Sequence, residues 1–469
     1  MSASHNTSGS RAVVLGAGMA GMLAASVLAR HVDEVVIVDR DRMPDGALPR
    51  KGLPQARHAH LLMSGGARVV DALLPGTVER WLHAGARRLA ATAGLVVLGP
   101  QGWFPRLPGK QFLLSCTRDL LDLVVREQVL ALPGVVLRDG TEAVALLGDP
   151  ARVTGVRVRA EGAHGTEELA ADLVVDASGR GSQAARRLTD LGLPVVHEET
   201  VDSGLVYATR IFRAPPGTED FPLVSVQSDP RSRRPGQGST MLPVEGGRWL
   251  VTVSGTRGGE PSGNAEDFEP FARGLRDPLI ADLIARAEPL TGVDVTRSTV
   301  NRRRFFERLP AHPEGFVALG DAVATYNPVY GQGMSVAAQS AAVLRDVLRA
   351  EGVTAPGLAG RVQHAVGRVT GKAWDLATGE DINYPGAIGK RPPAAARLLR
   401  GYVQRMMWAA TGDPLVLRAL MDVMTLSEPM THLVRPSVAL GVARGPGPRA
   451  QAGPSVTPGE LALWGLAPR

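Results

Sequence analysis

Apolar and polar positions alternate along this chain with two periods. Ala12 to Leu15 is a short apolar run of the kind that forms a buried strand. Small and apolar residues then run at helical spacing to about Arg30, and Glu34 to Val38 predicts a second strand ending in Asp39. Leu61 to Leu74 predicts a helix that stops before Pro75-Gly76, and Leu95 to Phe112 is strand-like. Thr117 to Leu130 is amphipathic, with Leu120, Leu121, Val124, Val125 and Val129 on one side. Short strands follow at Val135–Leu137, Ala143–Leu147, Val153–Val158 and Leu173–Val175.

From Leu193 to about Arg297 the pattern becomes β-rich: Leu205–Phe212, Leu223–Gln227, Met241–Val244 and Trp249–Ser254, with Gly246-Gly247 as a hairpin signal. Asn264 to Ala287 reads as helix broken at Asp277-Pro278, and Thr299–Phe306 leads back to an apolar run, Phe316 to Leu319. Gly320-Asp321, Asn327-Pro328 and Gly331-Gln332-Gly333 then precede a small-residue helix from Met334 to about Leu348. The last third is helical, with Tyr402–Ala410 and Pro414–Leu426 separated by Thr411-Gly412-Asp413. Leu417, Leu420, Met421 and Met424 form a stripe that either fills the core or walls an apolar pocket. Gly445 to Pro458 reads as a mobile link, and Thr457 with Glu460 forms a capping box for a terminal helix carrying Leu461, Leu463 and Trp464.

This order predicts an α/β protein: a Rossmann-like nucleotide domain with an inserted antiparallel β-sheet substrate domain and a C-terminal helical region. The expected divisions are 1–192 (60–112 partly facing the substrate pocket), 193–297, 298–370 and 371–469, the last containing the link 445–458. The 469 residues suffice for two or three domains. A single cysteine, Cys116, excludes an internal disulfide and fits a reducing cytoplasm. Met1 to Ser10 lacks the features of a signal peptide, and no apolar run approaches the ~20 residues of a membrane span. The formal charge of +6 resides after Asn383, where ten Lys or Arg face four Asp or Glu. No nucleic-acid reading motif accompanies it, which leaves a solvated basic face or a dock for an acidic partner such as an acyl carrier protein.

Candidate chemistry concentrates at two turns. Gly16, Gly18 and Gly21 have the spacing that permits a tight turn, close approach of a pyrophosphate and close helix–strand packing. Asp39, ending the next strand, is placed to accept from a ribose hydroxyl and to repel a 2′-phosphate. At the second turn Asp321 sits at the carboxyl edge of a strand, and Gly331 and Gly333 expose backbone N–H groups at a helix start. Arg118 stands in the first turn of its helix, where a cation opposes the helix dipole unless an anion compensates; a surface arginine is the alternative. Arg50, Lys51, Arg57, His58 and His60 make the loop after Asp39 strongly basic. The two histidines lack the further ligands of a metal site, and none is expected.

Together these turns resemble the class A flavoprotein monooxygenases. Lys51–His60, Asp202–Phe212, Arg248–Gly259, Ser298–Arg303 and Asn327–Ser335 are similar to one branch, the flavin-dependent olefin epoxidases of polyether polyketide biosynthesis. The resemblance implies FAD held by Gly16, Gly18, Gly21, Asp39, Arg40, Arg57, Arg118, Asp176, Asp321, Pro328, Gly331, Gly333 and Met334. Arg57 is its expected flavin contact from the basic loop, and Arg118 its pyrophosphate contact. Asp176-Ala177 departs from the family's Asp-Gly pair, which puts a nicotinamide role for Asp176 in doubt.

The implied reaction uses NAD(P)H, directly or through a partner reductase, and O2. A C4a-hydroperoxyflavin would transfer oxygen to the alkenes of an apolar polyene polyketide, free or bound to a carrier protein. No catalytic side chain is assigned, because the flavin carries the chemistry. Aromatic hydroxylation on the same fold, or a flavin reductase or carrier role, is the alternative. No Trp-x-Trp-x-Ile-Pro halogenase motif is present.

Overall fold

The computed structural model describes residues 9–391 and 394–464, without the side chains of 394–399, 449 and 464. Most of the amino-terminal stretch read for a leader, the side chains of Arg397, Arg449 and Trp464, and all of Arg469 lie outside what is described.

Five parallel strands form the central sheet, in the order Phe316–Ala318, Leu173–Asp176, Arg11–Leu15, Glu34–Val38, Val135–Arg138. The apolar runs of the first four are buried on both faces, as a parallel sheet covered on either side requires, while the edge strand Val135–Arg138 is partly exposed, with Val136 turned to solvent. In register, Leu15 lies between Val38 and Asp176, so three strands deliver their carboxyl ends to one edge. Helices Met19–Leu28 and Gly333–Glu351 pack on each other, bringing the two glycine-bearing turns together although they are some three hundred residues apart in the chain. An antiparallel meander, Thr141–Gly148, Val153–Ala160 and Glu167–Ala170, flanks this sheet.

The second large sheet is built on the hairpin Gln237–Val244 and Arg248–Gly255, with Val206–Arg213 and Leu223–Val226 on either side. One face is buried against helices Ala265–Arg273 and Leu279–Ile284 through Phe212, Met241, Trp249 and Val251. This sheet is not wholly antiparallel: Leu95–Gly99 pairs in parallel with Leu223–Val226. The stretch 95–112, read as one strand-like unit, is divided into Leu95–Gly99, Gly102–Trp103 and Phe112–Ser115 in two different sheets. Gly102, at φ 146°, allows the reversal between the first two.

Leu61–Leu74 is a helix only from Ser64; Leu61–Met63 pairs as a strand with Phe112–Ser115. Helix Ser64–Leu73 begins with two glycines for a packing reason. A Cβ on Gly65 would lie 2.4 Å from the carbonyl oxygen of Leu426, and one on Gly66 would lie 2.3 Å from Ser335 Oγ. Helices Thr77–His83 and Leu358–Asp381 and strand Arg87–Ala90 add to the elements read from the sequence.

In the last third, Asp413 caps helix Pro414–Met424, accepting from the N–H groups of Leu415 and Val416 at 2.8 and 3.1 Å. The capping box is present: Thr457 N–H donates to Glu460 at 2.8 Å, and Glu460 N–H to Thr457 Oγ1 at 3.2 Å. The segment 445–458, expected as a mobile link, is laid along Trp103–Arg106. Gln451 bridges Trp103, Ser455 Oγ donates to the Phe104 carbonyl, and Arg106 holds Glu460 at 2.7 Å. Cross-chain partners invisible in a Pro/Gly-rich composition hold it there. Among the described residues no helix is long and apolar enough to cross a membrane.

Candidate cofactor and substrate site

A cleft of about 790 Å³ runs from the first glycine turn to the start of helix Gly333–Glu351. At one end Gly16 has φ 100°, and a Cβ there would lie 2.6 Å from the Ala177 carbonyl oxygen. Gly21 touches the strand even more closely, since its Cβ would lie 1.8 Å from the Gly16 carbonyl oxygen. Gly18 is the N-cap of helix Met19–Leu28, and its open side faces the cleft. The three glycines therefore serve the turn, the ligand approach and the packing separately. Asp39 closes this end: one oxygen accepts from the Ala17 N–H at 2.6 Å and the other from the Asp41 N–H at 2.9 Å. Arg40 lines the cleft beside it.

The basic loop borders the cleft through Arg50, Leu53, Gln55, Ala59 and His60. Its arginines are used differently from the expectation. Arg57 turns away and donates to Asp294 at 2.7 Å, with its side chain 56% exposed, and does not line the cleft. Arg50 takes the inner place, 3.3 Å from Asp39 and beside Gly18. No local sequence signal separates the two; the choice follows from where Asp39 and Asp294 stand after folding.

Arg118 is buried at the cleft wall, its Nε donating to Asp122 at 2.8 Å. That carboxylate one turn on, with the Thr117 cap and Asp119, offsets the unfavourable position at the helix start. Asp321 also lines the cleft. Burial pushes its carboxyl up from the usual range, and Arg180 and Arg118 oppose the shift. Asp176 does not reach the cleft. It is fully buried and accepts from Ser178 N–H and Oγ, with Arg187 at 3.5 Å, so it shapes the loop under the site.

The far end is formed by Tyr326, Asn327, Pro328 and Gly331 to Met334. The turn Pro328–Tyr330 is stabilised by Asn327, whose side chain accepts from the Val329 N–H at 3.1 Å, and Gly331 follows at φ 64°. Gln332 is almost fully buried, yet neither polar atom of its amide has a partner. Buried amides are ordinarily satisfied, so an unpaired one on a cleft wall fits a site shaped for a polar ligand. Together with the open approach at Gly18, it fits a dinucleotide lying along the cleft.

Around this end lies a group of neutral polar side chains. His60 Nδ1 donates to the His58 carbonyl at 2.9 Å, which leaves Nε2 as an acceptor on the cleft wall. His58 Nδ1 bonds Thr209 Oγ1 at 2.8 Å, and Thr209 bonds Thr252 at 2.7 Å. Burial lowers both histidines to about 4, with Arg118 adding to the effect on His60 and Arg57 to that on His58. Tyr207 donates to Asn327 Oδ1 at 3.4 Å, and burial raises its hydroxyl well above the ordinary range. Beyond them, Leu223, Leu242 and Leu250 of the sheet pack with Met63, Leu89 and Leu113. Among the described residues no cluster of His, Cys, Asp or Glu could hold a metal.

Residues 10–351 match the sequence family described as an FAD binding domain. Protein Rv3254 of Mycobacterium tuberculosis is 31% identical over 415 residues, covering 86% of this chain and 87% of that protein. The 6-methylpretetramide 4-monooxygenase of Streptomyces rimosus is 27% identical, covering 75% of this chain and 78% of that one. Among solved structures, a flavoprotein/dehydrogenase from Cytophaga hutchinsonii superposes with a TM-score of 0.65 at 15% identity. It covers 93% of this chain and 99% of its own, a likeness of fold.

Proposed function

Since the chain belongs to the FAD-dependent monooxygenase family, we propose that it epoxidises the alkenes of an apolar, linear polyene polyketide. When bound, FAD reduced by NAD(P)H would activate O2 and supply one electrophilic oxygen atom. The protein's part is to hold, orient and keep dry. Gly16 and Gly18 would admit the pyrophosphate, with Arg50 and Arg118 as its cationic neighbours. Asp39 would hold the adenosine ribose and Asp321 the ribityl chain. The N–H groups at Gly331 to Met334, with the Gln332 amide, would meet the electron-rich carbonyl edge of the flavin. Ala59 and Leu61 on the cleft wall, backed by the buried leucine cluster of the sheet, suit an apolar substrate that excludes water from the reacting oxygen.

The observation that carries this reading is the neutrality of the polar groups around the far end of the cleft. An alkene needs no proton removed before it attacks an electrophilic oxygen, whereas phenol hydroxylation gains from a base. His60, the histidine on the cleft wall, has a pKa of about 4. Taking a proton from a phenol of pKa about 10 would be uphill by roughly 8 kcal/mol. One feature favours a second reading, hydroxylation of an aromatic polyketide: the free acceptor Nε2 of His60 on the cleft wall, together with a relative named as a 6-methylpretetramide monooxygenase.

The test is turnover of FAD-loaded protein with NAD(P)H, a flavin reductase and ¹⁸O2. Linear trisubstituted polyenes and phenols are offered separately, with products read by mass spectrometry. Labelled epoxide from the polyene is the expected result. Label from water overturns the proposal, and so does phenol hydroxylation without alkene oxidation; dependence of that hydroxylation on His60 would establish the second reading.

A further inference from the structure

Asp381 is in an unfavourable position by two local criteria. It is the last residue of helix Leu358–Asp381, where the negative end of the helix dipole opposes a carboxylate, and it is 1% exposed. Such conflicts persist where tertiary partners compensate, and they concentrate at functional sites. Here the partners come from three other parts of the chain. Asn301 Nδ2 donates to Asp381 Oδ2 at 2.6 Å, Asn327 Nδ2 to the same oxygen at 2.8 Å, and Tyr330 Oη to Oδ1 at 2.7 Å. Ser203 supplies a further side-chain bond.

Two of these donors belong to the turn Pro328–Tyr330, Asn327 as its N-cap and Tyr330 as its last residue, and the third, Asn301, braces the cap. Asn301 Oδ1 accepts the Asn327 N–H at 2.7 Å, a contact set by the pairing of Arg302 with Thr325. Asn327 Oδ1 in turn receives the Tyr207 hydroxyl from the large sheet. The carboxylate therefore ties the helix end, the turn and the sheet together at the point where the turn hands over to Gly331 and the helix start. Asn327, Pro328 and Gly331 to Met334 line the cleft, but Asp381 does not.

We propose that Asp381 is a positioning residue of the cofactor site: it fixes the Asn327–Tyr330 turn, and with it the Gly331–Met334 helix start, against the reactive end of the FAD. This rests on the cleft holding FAD and is independent of which substrate is oxygenated. Bonds in a buried network act cooperatively, so removing the shared acceptor releases four donors at once.

The test compares Asp381→Ala, Asp381→Asn and Tyr330→Phe by FAD titration and by visible circular dichroism of the bound flavin, with thermal melting followed separately. Asp381→Ala is expected to weaken FAD binding by about tenfold and to change the flavin dichroism. Asp381→Asn keeps a carbonyl for Asn301 and Asn327 and an amide for the Tyr330 oxygen, so it should restore both readouts. Tyr330→Phe should fall between. Wild-type affinity and dichroism in Asp381→Ala overturn the proposal whatever its melting temperature, because a merely structural residue would move only the melting. If that variant does not fold, wild-type behaviour of Tyr330→Phe overturns it instead. An Asp381→Asn variant as impaired as the alanine also overturns it, in favour of a role for the charge itself. None of these readouts uses a substrate, so they stand or fall apart from the epoxidation reading.

Discussion

Replacing Gly18 and Gly21 separately by alanine should divide cofactor binding from stability within one six-residue turn. At Gly21 the added methyl would sit 1.8 Å from a backbone carbonyl oxygen, that of Gly16. No side chain can rotate aside to relieve this, so helix Met19–Leu28 must retreat by more than 1 Å to reach even a 3.0 Å contact. That helix packs on Gly333–Glu351 and Arg118–Leu130 as well as on the sheet, and its residues are nearly all buried. Overpacking a rigid core costs about 1–3 kcal/mol, and a backbone obstacle places Gly21→Ala at or above the upper end.

At Gly18 the backbone has φ −79°, which alanine adopts freely, and the nearest heavy atom is Arg50 Nη2 at 3.6 Å. Losing glycine at an N-cap costs about 1 kcal/mol or less. The methyl would nevertheless occupy the approach of the pyrophosphate, and one lost charge-assisted contact of about 1.5–3 kcal/mol lowers affinity roughly 10- to 150-fold. Urea unfolding of the apoprotein measures the first effect, and quenching of FAD fluorescence the second. Gly18→Ala should melt like the parent and bind FAD poorly, while Gly21→Ala should be destabilised before any cofactor is added. Parental affinity in the first, or parental stability in the second, would refute the division of roles.

Asp321→Ala and Arg118→Ala should each weaken FAD binding by about tenfold or more, whereas Arg57→Ala should leave it within about twofold, since an exposed pair such as Arg57–Asp294 contributes about 0–1 kcal/mol and only to stability; equal losses in all three by FAD titration would contradict the placement of Arg57 outside the cleft. The buried His58 should make the apoprotein acid-sensitive. Its folded pKa of about 4 lies below the ordinary 6.5, so the unfolded chain takes up the extra proton in that window. His60, lowered to about 4 as well, acts in the same window. Stability should then fall as pH drops from 6.5 towards 4 by on the order of 3 kcal/mol for each of the two histidines, and His58→Asn should remove about half of the slope of the urea-midpoint profile there. A midpoint that rises on acidification through this window would show the opposite sign.

The nucleotide end of the site could be read directly because its parts are close in the chain. Strand, glycine turn, helix, strand and Asp39 occupy residues 11–39, and each requirement acts on near neighbours. The turn at Gly320-Asp321 and the helix start at Gly331 were equally legible, as were the Asp413 cap and the Thr457–Glu460 box, since hydrogen bonds over three or four residues leave a local pattern. The main strands of the large sheet are legible as short β-rich runs with Gly246-Gly247 as the hairpin signal, but the parallel entry of Leu95–Gly99 is not, because a strand's partner is chosen by the surface it meets.

Tertiary structure alone decided which of several similar side chains reach the cleft. Arg50 and Arg57 are seven residues apart in one basic loop, and only the positions of Asp39 and Asp294 assign one to the cleft and the other to solvent. Asp176 ends a strand at the same sheet edge as Asp39, yet Ser178 and Arg187 hold its carboxylate beneath the floor. Asp381 gave no sequence signal, since an acid at a helix end reads as a surface residue until Asn301, Asn327 and Tyr330 converge on it. Periodicity and turn chemistry are written in short windows, whereas desolvation and charge pairing depend on segments brought together from across the chain. The sequence therefore determined the family-defining turns and the class of ligand, and folding determined the electrostatics of the cleft.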